Sequence, residues 1–251
     1  MNDLRIICAH AFREQLRSRF FAVSLVFGGV LIYMSVLLGT LAADQELRVL
    51  LDFGFSAIEL LSTAAVAYAA AIGLILEMET KTIYLVFSRP VSRPAYLAGR
   101  WLGLLLSAAC AIALMASMHL LLLFAKGWRW EPSYLLVLAG IGLKIAVTGA
   151  LATLLALIST SVISGLLMTG VLWTLGHFVE EMRFLLARES LQAKALSILV
   201  YLAPNLQLFN FRDRLGAPEL HQYVLLAFAY APLYAAACLL LTVLLFRRRE
   251  F

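Results

Sequence analysis

Four histidines (His10, His119, His177, His221) and three cysteines (Cys8, Cys110, Cys238) are the residues from which nucleophilic or metal chemistry could be built. The histidines fall on different segments and the cysteines show no CxxC spacing. Neither a zinc site nor a disulfide framework is therefore expected. No HExxH, DxxDG or GxSxG string occurs, and no GxxxxGKS or GxxxxGKT phosphate loop. Ser164-Gly165 with His177 comes nearest to serine chemistry, but the two stand at opposite ends of one apolar run. An intramembrane enzyme is thus the lesser reading, with no catalytic residue, metal or cofactor assigned to this chain. Three other polar residues stand out by position: Glu59, His119 and Lys144, each inside a long apolar run. Charges at such depth are costly and face a bundle interior or a wet cavity. Two readings stay open. They line a path for an anionic or amphipathic substrate, or they form a buried ion pair that locks helices together, the lysine stem snorkelling outward.

The elements that carry these residues follow from composition. The 251 residues are 63% hydrophobic and 14% charged, against about 45–50% and about 25% in soluble domains. A globule of 27.7 kDa buries only about 70–75% of its unfolded surface and could not hide so much apolar side chain. A soluble enzyme, a disordered chain and a nucleic-acid-binding domain are excluded, although the net charge is +5. The expected class is an all-α integral membrane protein, a single transmembrane domain over 1–251 in contact with the lipid bilayer. Apolar runs predict six transmembrane helices, near 20–43, 55–76, 96–125, 134–158, 162–178 and 222–246. The first is too long for a signal-peptide core and reads as a true span. The fifth is short, and the third is long enough to tilt or project.

Basic residues set the orientation. Arg5, Arg13, Arg17 and Arg19 precede the first run; Lys81, Arg89, Arg93 and Arg100 follow the second; Arg247, Arg248 and Arg249 follow the last. These short flanks place both termini in the cytoplasm. Acids such as Asp44, Glu46, Asp52, Glu131, Glu180 and Glu181 fall to the other side.

Three segments between the runs have their own patterns. Over 4–19, Leu4, Ile7, Cys8, Ala11, Phe12 and Leu16 share one helical face, and His10, Arg13, Glu14 and Arg17 the other. This predicts an amphipathic helix along the membrane, or simply a basic anchor. Residues 77–94 begin with Glu77, Glu79 and Lys81, continue as a short helix to about Phe87, and turn at Pro90 and Pro94, which disfavour α geometry at Arg89 and Arg93. A soluble partner could grip that surface, with Ile83, Tyr84 and Phe87 as apolar contacts; the alternative is a structural turn with snorkelling arginines. The stretch 179–221 predicts one or two short helices on the outer surface, or a re-entrant hairpin shielded by protein. The small residues Ala64, Ala65, Ala69 and Gly73 predict close helix packing.

Taken together these strings resemble the type-2 ABC transporter permeases, the membrane subunits of ATP-driven exporters. The resemblance rests on "AFREQLRSRFF" near the start, "EMETKTIYLVFSRPVSRPAYLAGRWLG" after the second run, "YLAPNLQLFNF" before the last and "LFRRREF" at the end. It implies an elbow helix over 4–19 with Phe12, Arg13 and Arg17. It implies a cytoplasmic coupling helix in 77–94 that seats in a separate ATPase, with Glu77, Glu79, Thr80, Ile83, Tyr84, Phe87, Arg89 and Arg93 as coupling residues. It further implies a dimer of ABC ATPase subunits holding ATP and Mg, a second permease copy, and a bacterial inner-membrane location. Some relatives hand force or cargo to an extracytoplasmic partner protein, so a membrane anchor or force transmitter that moves no solute is the alternative. One departure matters: the family commonly has Gly-Thr after the acidic pair, and here Lys81 follows Glu79-Thr80.

Overall fold

The structure, a computed structural model, describes residues 2–41, 45–83, 88, 91–186 and 203–248. These residues are helical, with no strand among them. An amphipathic α1 (Asn2–Arg17) leads into α2 (Arg19–Leu41), α3 (Glu46–Glu79), α4 (Arg93–Ala125), α5 (Ser133–Ile158) and α6 (Val162–His177). A short α7 (Val179–Leu186), two 3-10 turns (Gln207–Phe209 and Phe211–Arg214) and α8 (Leu220–Arg248) complete the described chain. Five helices, α2, α3, α4, α5 and α8, are long and apolar enough to cross a membrane, as a multi-pass membrane protein requires. α6 has 16 residues, about 24 Å at 1.5 Å per residue, short of the ~30 Å hydrocarbon layer.

Helix ends follow local chemistry. The Ser92 hydroxyl accepts from the Ala95 N–H at 3.4 Å and caps α4. Arg93 is helical, contrary to the expectation set by Pro94. A first-turn N–H has no intrahelical partner, so proline there forfeits no hydrogen bond. α6 begins with a reciprocal box in which Ser161 and Ser164 each bond the other's backbone N–H. α3 starts at Glu46 rather than near 55 and ends at Glu79. The Thr80 N–H donates to the Leu76 carbonyl and the Lys81 N–H to that of Met78, and Lys81 adopts φ 58°. The helix predicted over 77–87 is therefore not continuous: 77–79 close α3, a left-handed residue breaks the helix at 81, and 84–87 lie outside the described residues.

α3 and α5 are the most buried of the long helices. The small residues of α3 serve in part as expected: Ala65 and Ala69 are buried and the guanidinium of Arg100 lies against Gly73, but Ala64 is exposed and packs no neighbouring helix closely. α1 lays its predicted face on α4. A Cβ at Gly99 would stand 3.0 Å from Ile7, and one at Gly103 would stand 2.7 Å from Ala11, so two glycines four apart make the groove that α1 occupies.

Both termini meet at one end of the bundle. Arg93 donates to the Phe246 carbonyl at 3.1 Å, and α1 lies beside the same first turns of α4. The opposite end gathers the starts of α3, α5 and α8 and the 203–214 segment. The 203–214 part of the stretch expected on the outer surface packs into the bundle. Leu206, Phe209 and Phe211 are buried with Val147 of α5 and Ala227 and Ala231 of α8. Its backbone is shielded by protein: the Leu206 N–H donates to the Gly176 carbonyl at 3.0 Å, and the Asn205 N–H to the Tyr230 hydroxyl at 3.1 Å. Residues 187–202 of the 179–221 stretch lie outside the described residues.

Candidate functional site

The bundle interior brings two of the three conspicuous polar residues together. Lys144 of α5 is 1% exposed, and its Nζ lies 2.6 Å from the Glu59 carboxylate of α3. The same Nζ donates to the Asn210 side-chain oxygen at 2.7 Å and lies 3.3 Å from Nε2 of His177, the last residue of α6. An ammonium has three N–H donors, and here each has an acceptor on a different element. The His177 Nδ1 lies 2.9 Å from the Trp173 carbonyl, which can only accept. A proton therefore resides on Nδ1, and in the singly protonated ring Nε2 accepts from the lysine. Glu59 Oε1 sits 3.2 Å from the same Nε2. That approach becomes a hydrogen bond only if the ring takes a second proton.

Lysine and glutamate cancel in charge, and low dielectric strengthens their attraction. With all three N–H groups engaged, the ammonium has none to offer a passing anion. Of the two readings left open by the residues alone, the geometry is that of a lock. It joins α3, α5, α6 and the 203–214 segment at one point.

His119 belongs elsewhere. It is fully buried, with Nδ1 3.1 Å from the Tyr134 hydroxyl and Nε2 3.2 Å from the Leu50 carbonyl. It cross-braces α3, α4 and α5 and does not join the lysine cluster.

The segment after α3 is fastened to the bundle by the residues expected to face a partner. Glu77 pairs with Arg100 and accepts from the Tyr96 hydroxyl. Ile83, expected as an accessible apolar contact, is fully buried among Leu74, Tyr96, Leu97 and Phe246. Its apolar side chain fills the chain's own core, so it is not open to a partner. Arg93 reaches the Phe246 carbonyl and lies over the Phe246 ring at 5.7 Å. A cation beside the last carbonyls of α8 offsets that helix end's partial negative charge. Glu79 and Thr80 are exposed, and the Thr80 hydroxyl donates to the Leu76 carbonyl at 2.7 Å. Tyr84, Phe87 and Arg89 lie outside the described residues. On α1, Phe12 is half-buried toward α4, and Arg13 and Arg17 are exposed.

His177 and Asn210 are the partners that sequence reasoning missed. A signal existed. One glutamate satisfies one of a buried lysine's three N–H groups, so two further acceptors had to come from neighbouring elements. No family model matches the chain, and no curated protein matches it.

Proposed function

We propose that this chain is the permease subunit of an ATP-driven exporter, built on the type-2 ABC plan that its first charged loop resembles. In this reading α6 is a short sixth span, both basic termini face the cytoplasm, and α1 is the elbow. ATP and Mg are handled by a separate ATPase dimer, and a second permease copy completes the transport path. The proposed site is the bacterial cytoplasmic membrane.

The observation that carries the reading is how the segment between α3 and α4 is anchored. On one side Glu77 binds Arg100 and Tyr96. In the middle Ile83 is sunk in the core, and on the far side Arg93 binds the end of α8. A push on the exposed part of this segment is therefore borne at once by α3, α4 and α8. Rigid packing passes such displacement on with little loss. A mere surface turn would need none of these ties.

Glu79 is the exposed acid best placed to meet the ATPase. The test is copurification of a soluble ATPase with the chain from its native membrane, together with ATP-driven transport in proteoliposomes. Glu79→Ala is expected to lower both while the permease still inserts and folds. If ATPase capture and transport stay at the unsubstituted level for this variant, the coupling assignment fails.

A further inference from the structure

At the end of the bundle away from the termini, a cavity of about 490 Å³ opens between α3, the α4–α5 loop and the 3-10 turn carrying Arg212. Its volume lies within the range of small-molecule sites, about 300–1,000 Å³. Two features set its chemistry. The first is an aromatic wall. Trp128 sits 5.7 Å from Tyr134 and 6.2 Å from Trp130, ring centre to ring centre, and Phe55 sits 4.9 Å from Tyr134. Clustered Trp and Tyr at the end of apolar helices mark the headgroup level of a bilayer. The second is a lining that carries both signs of charge: Arg48 and Arg212 beside Asp52, Glu131 and Asp213.

Arg212 is held in place. Its Nη1 donates to the Asp52 carbonyl at 3.0 Å and to the Ser56 hydroxyl at 3.3 Å, and its Nε lies 3.7 Å from the Asp52 carboxylate and 3.6 Å from that of Asp213, which leaves Nη2 as the donor toward the cavity. Arg48 and Glu131 are exposed and have no ion-pair partner among the described residues. The Glu131 carboxylate accepts from the Ser133 hydroxyl at 3.1 Å. A purely anionic ligand would meet the carboxylates, and a purely cationic one the guanidinium groups. A ligand with both charges satisfies the rim.

We infer that this cavity binds a phosphate–amine zwitterion of the kind found in zwitterionic phospholipid headgroups. The phosphate faces Arg48 and Arg212, where charge-assisted guanidinium bonds are strongest. The ammonium faces Glu131 and the ring face of Trp128, which attracts a cation. The site is at the end opposite the α3–α4 segment, so the inference stands whether or not an ATPase drives the chain. It is also mechanically connected. Arg212 lies two residues beyond Asn210, which holds Lys144, so an occupant of the cavity bears on the segment that closes the buried lock.

The experiment uses the full chain in maltoside micelles, titrated calorimetrically with three probes. These are dihexanoyl-phosphatidylethanolamine, dihexanoyl-phosphatidylglycerol, and water-soluble glycerophosphoethanolamine. The ethanolamine lipid is expected to bind saturably and at least about tenfold more tightly than the glycerol lipid. Arg48→Gln and Glu131→Gln are each expected to weaken it about tenfold, the effect of losing one charged hydrogen bond. Both residues are exposed, so the thermal unfolding of either variant should match that of the unsubstituted protein. If glycerophosphoethanolamine binds as tightly as the lipid, the site takes a free solute; if only the lipid binds, it takes a bilayer component. Equal affinity for the two lipids, or unchanged binding in both variants, overturns the assignment.

Discussion

Lys144 decides most at the residue scale, because a buried ammonium must find three acceptors or forfeit its charge. Removing one partner of such a pair leaves the other buried and uncompensated, at a cost of about 3–5 kcal/mol. Replacing both by apolar side chains of similar volume is close to neutral. Lys144→Met alone is therefore expected to lower unfolding stability in detergent by about 3 kcal/mol, and Glu59→Leu alone by a similar amount. The double variant should recover most of that loss. Strictly additive losses in the double variant would show that the two side chains do not interact. Asn210→Ala removes one acceptor from the same ammonium. It should cost about 1–3 kcal/mol and raise hydrogen exchange over 203–214, with α3 and α5 protected as before. The charged pair was legible in the sequence because a charge inside an apolar run has no other reason to be there. His177 and Asn210 were not, because a histidine at a helix end and an asparagine in a polar segment are ordinary where they stand.

The helices obey hydropathy where lipid is their solvent and local caps where it is not. The spans near 20–43, 96–125 and 134–158 match α2, α4 and α5 to within a few residues, since an apolar run of that length has one stable form in a bilayer. The start of α3 at Glu46 was hidden. Beyond the hydrocarbon a helix no longer needs apolar residues, so the pattern fades before the helix ends. Its other end was hidden by Lys81, whose φ of 58° is a glycine-like conformation in a residue that disfavours it. Lys81→Gly removes a left-handed penalty of about 1 kcal/mol and should raise the unfolding temperature. A lowered temperature would mean that the lysine side chain holds the turn. α1 depends on a groove without side chains. Gly103→Leu would drive a branched side chain into Ala11 and the Cys8 carbonyl, costing about 1–3 kcal/mol. The expected result is loss of amide protection confined to α1. Protection unchanged across α1 would show that bilayer contact, not α4, holds it.

For the molecule as a whole, the shared end of the two termini leads to a labelling experiment. In a cysteine-free background, Ser88→Cys and Gln222→Cys should label from opposite sides of the membrane, and a cysteine at Arg247 should label with the former. Labelling of positions 88 and 222 from the same side would break the even count of crossings and leave α6 outside the membrane. Composition by itself determined that the chain lives in a bilayer, because 63% hydrophobic residues have no aqueous refuge in a chain this small. Hydropathy also determined the principal helices, since it is a local property of the chain. Only the tertiary structure decided which polar groups meet. Lys144 and Glu59 are joined by an asparagine from a segment that enters the bundle between α5 and α8. The residues expected to greet a partner after α3 are in part spent on fastening that segment to the core. The physical reason is the same in both cases. Buried polar groups are satisfied by whatever neighbour the packing brings within about 3 Å, and packing relates residues far apart in a sequence that hydropathy reads only one window at a time.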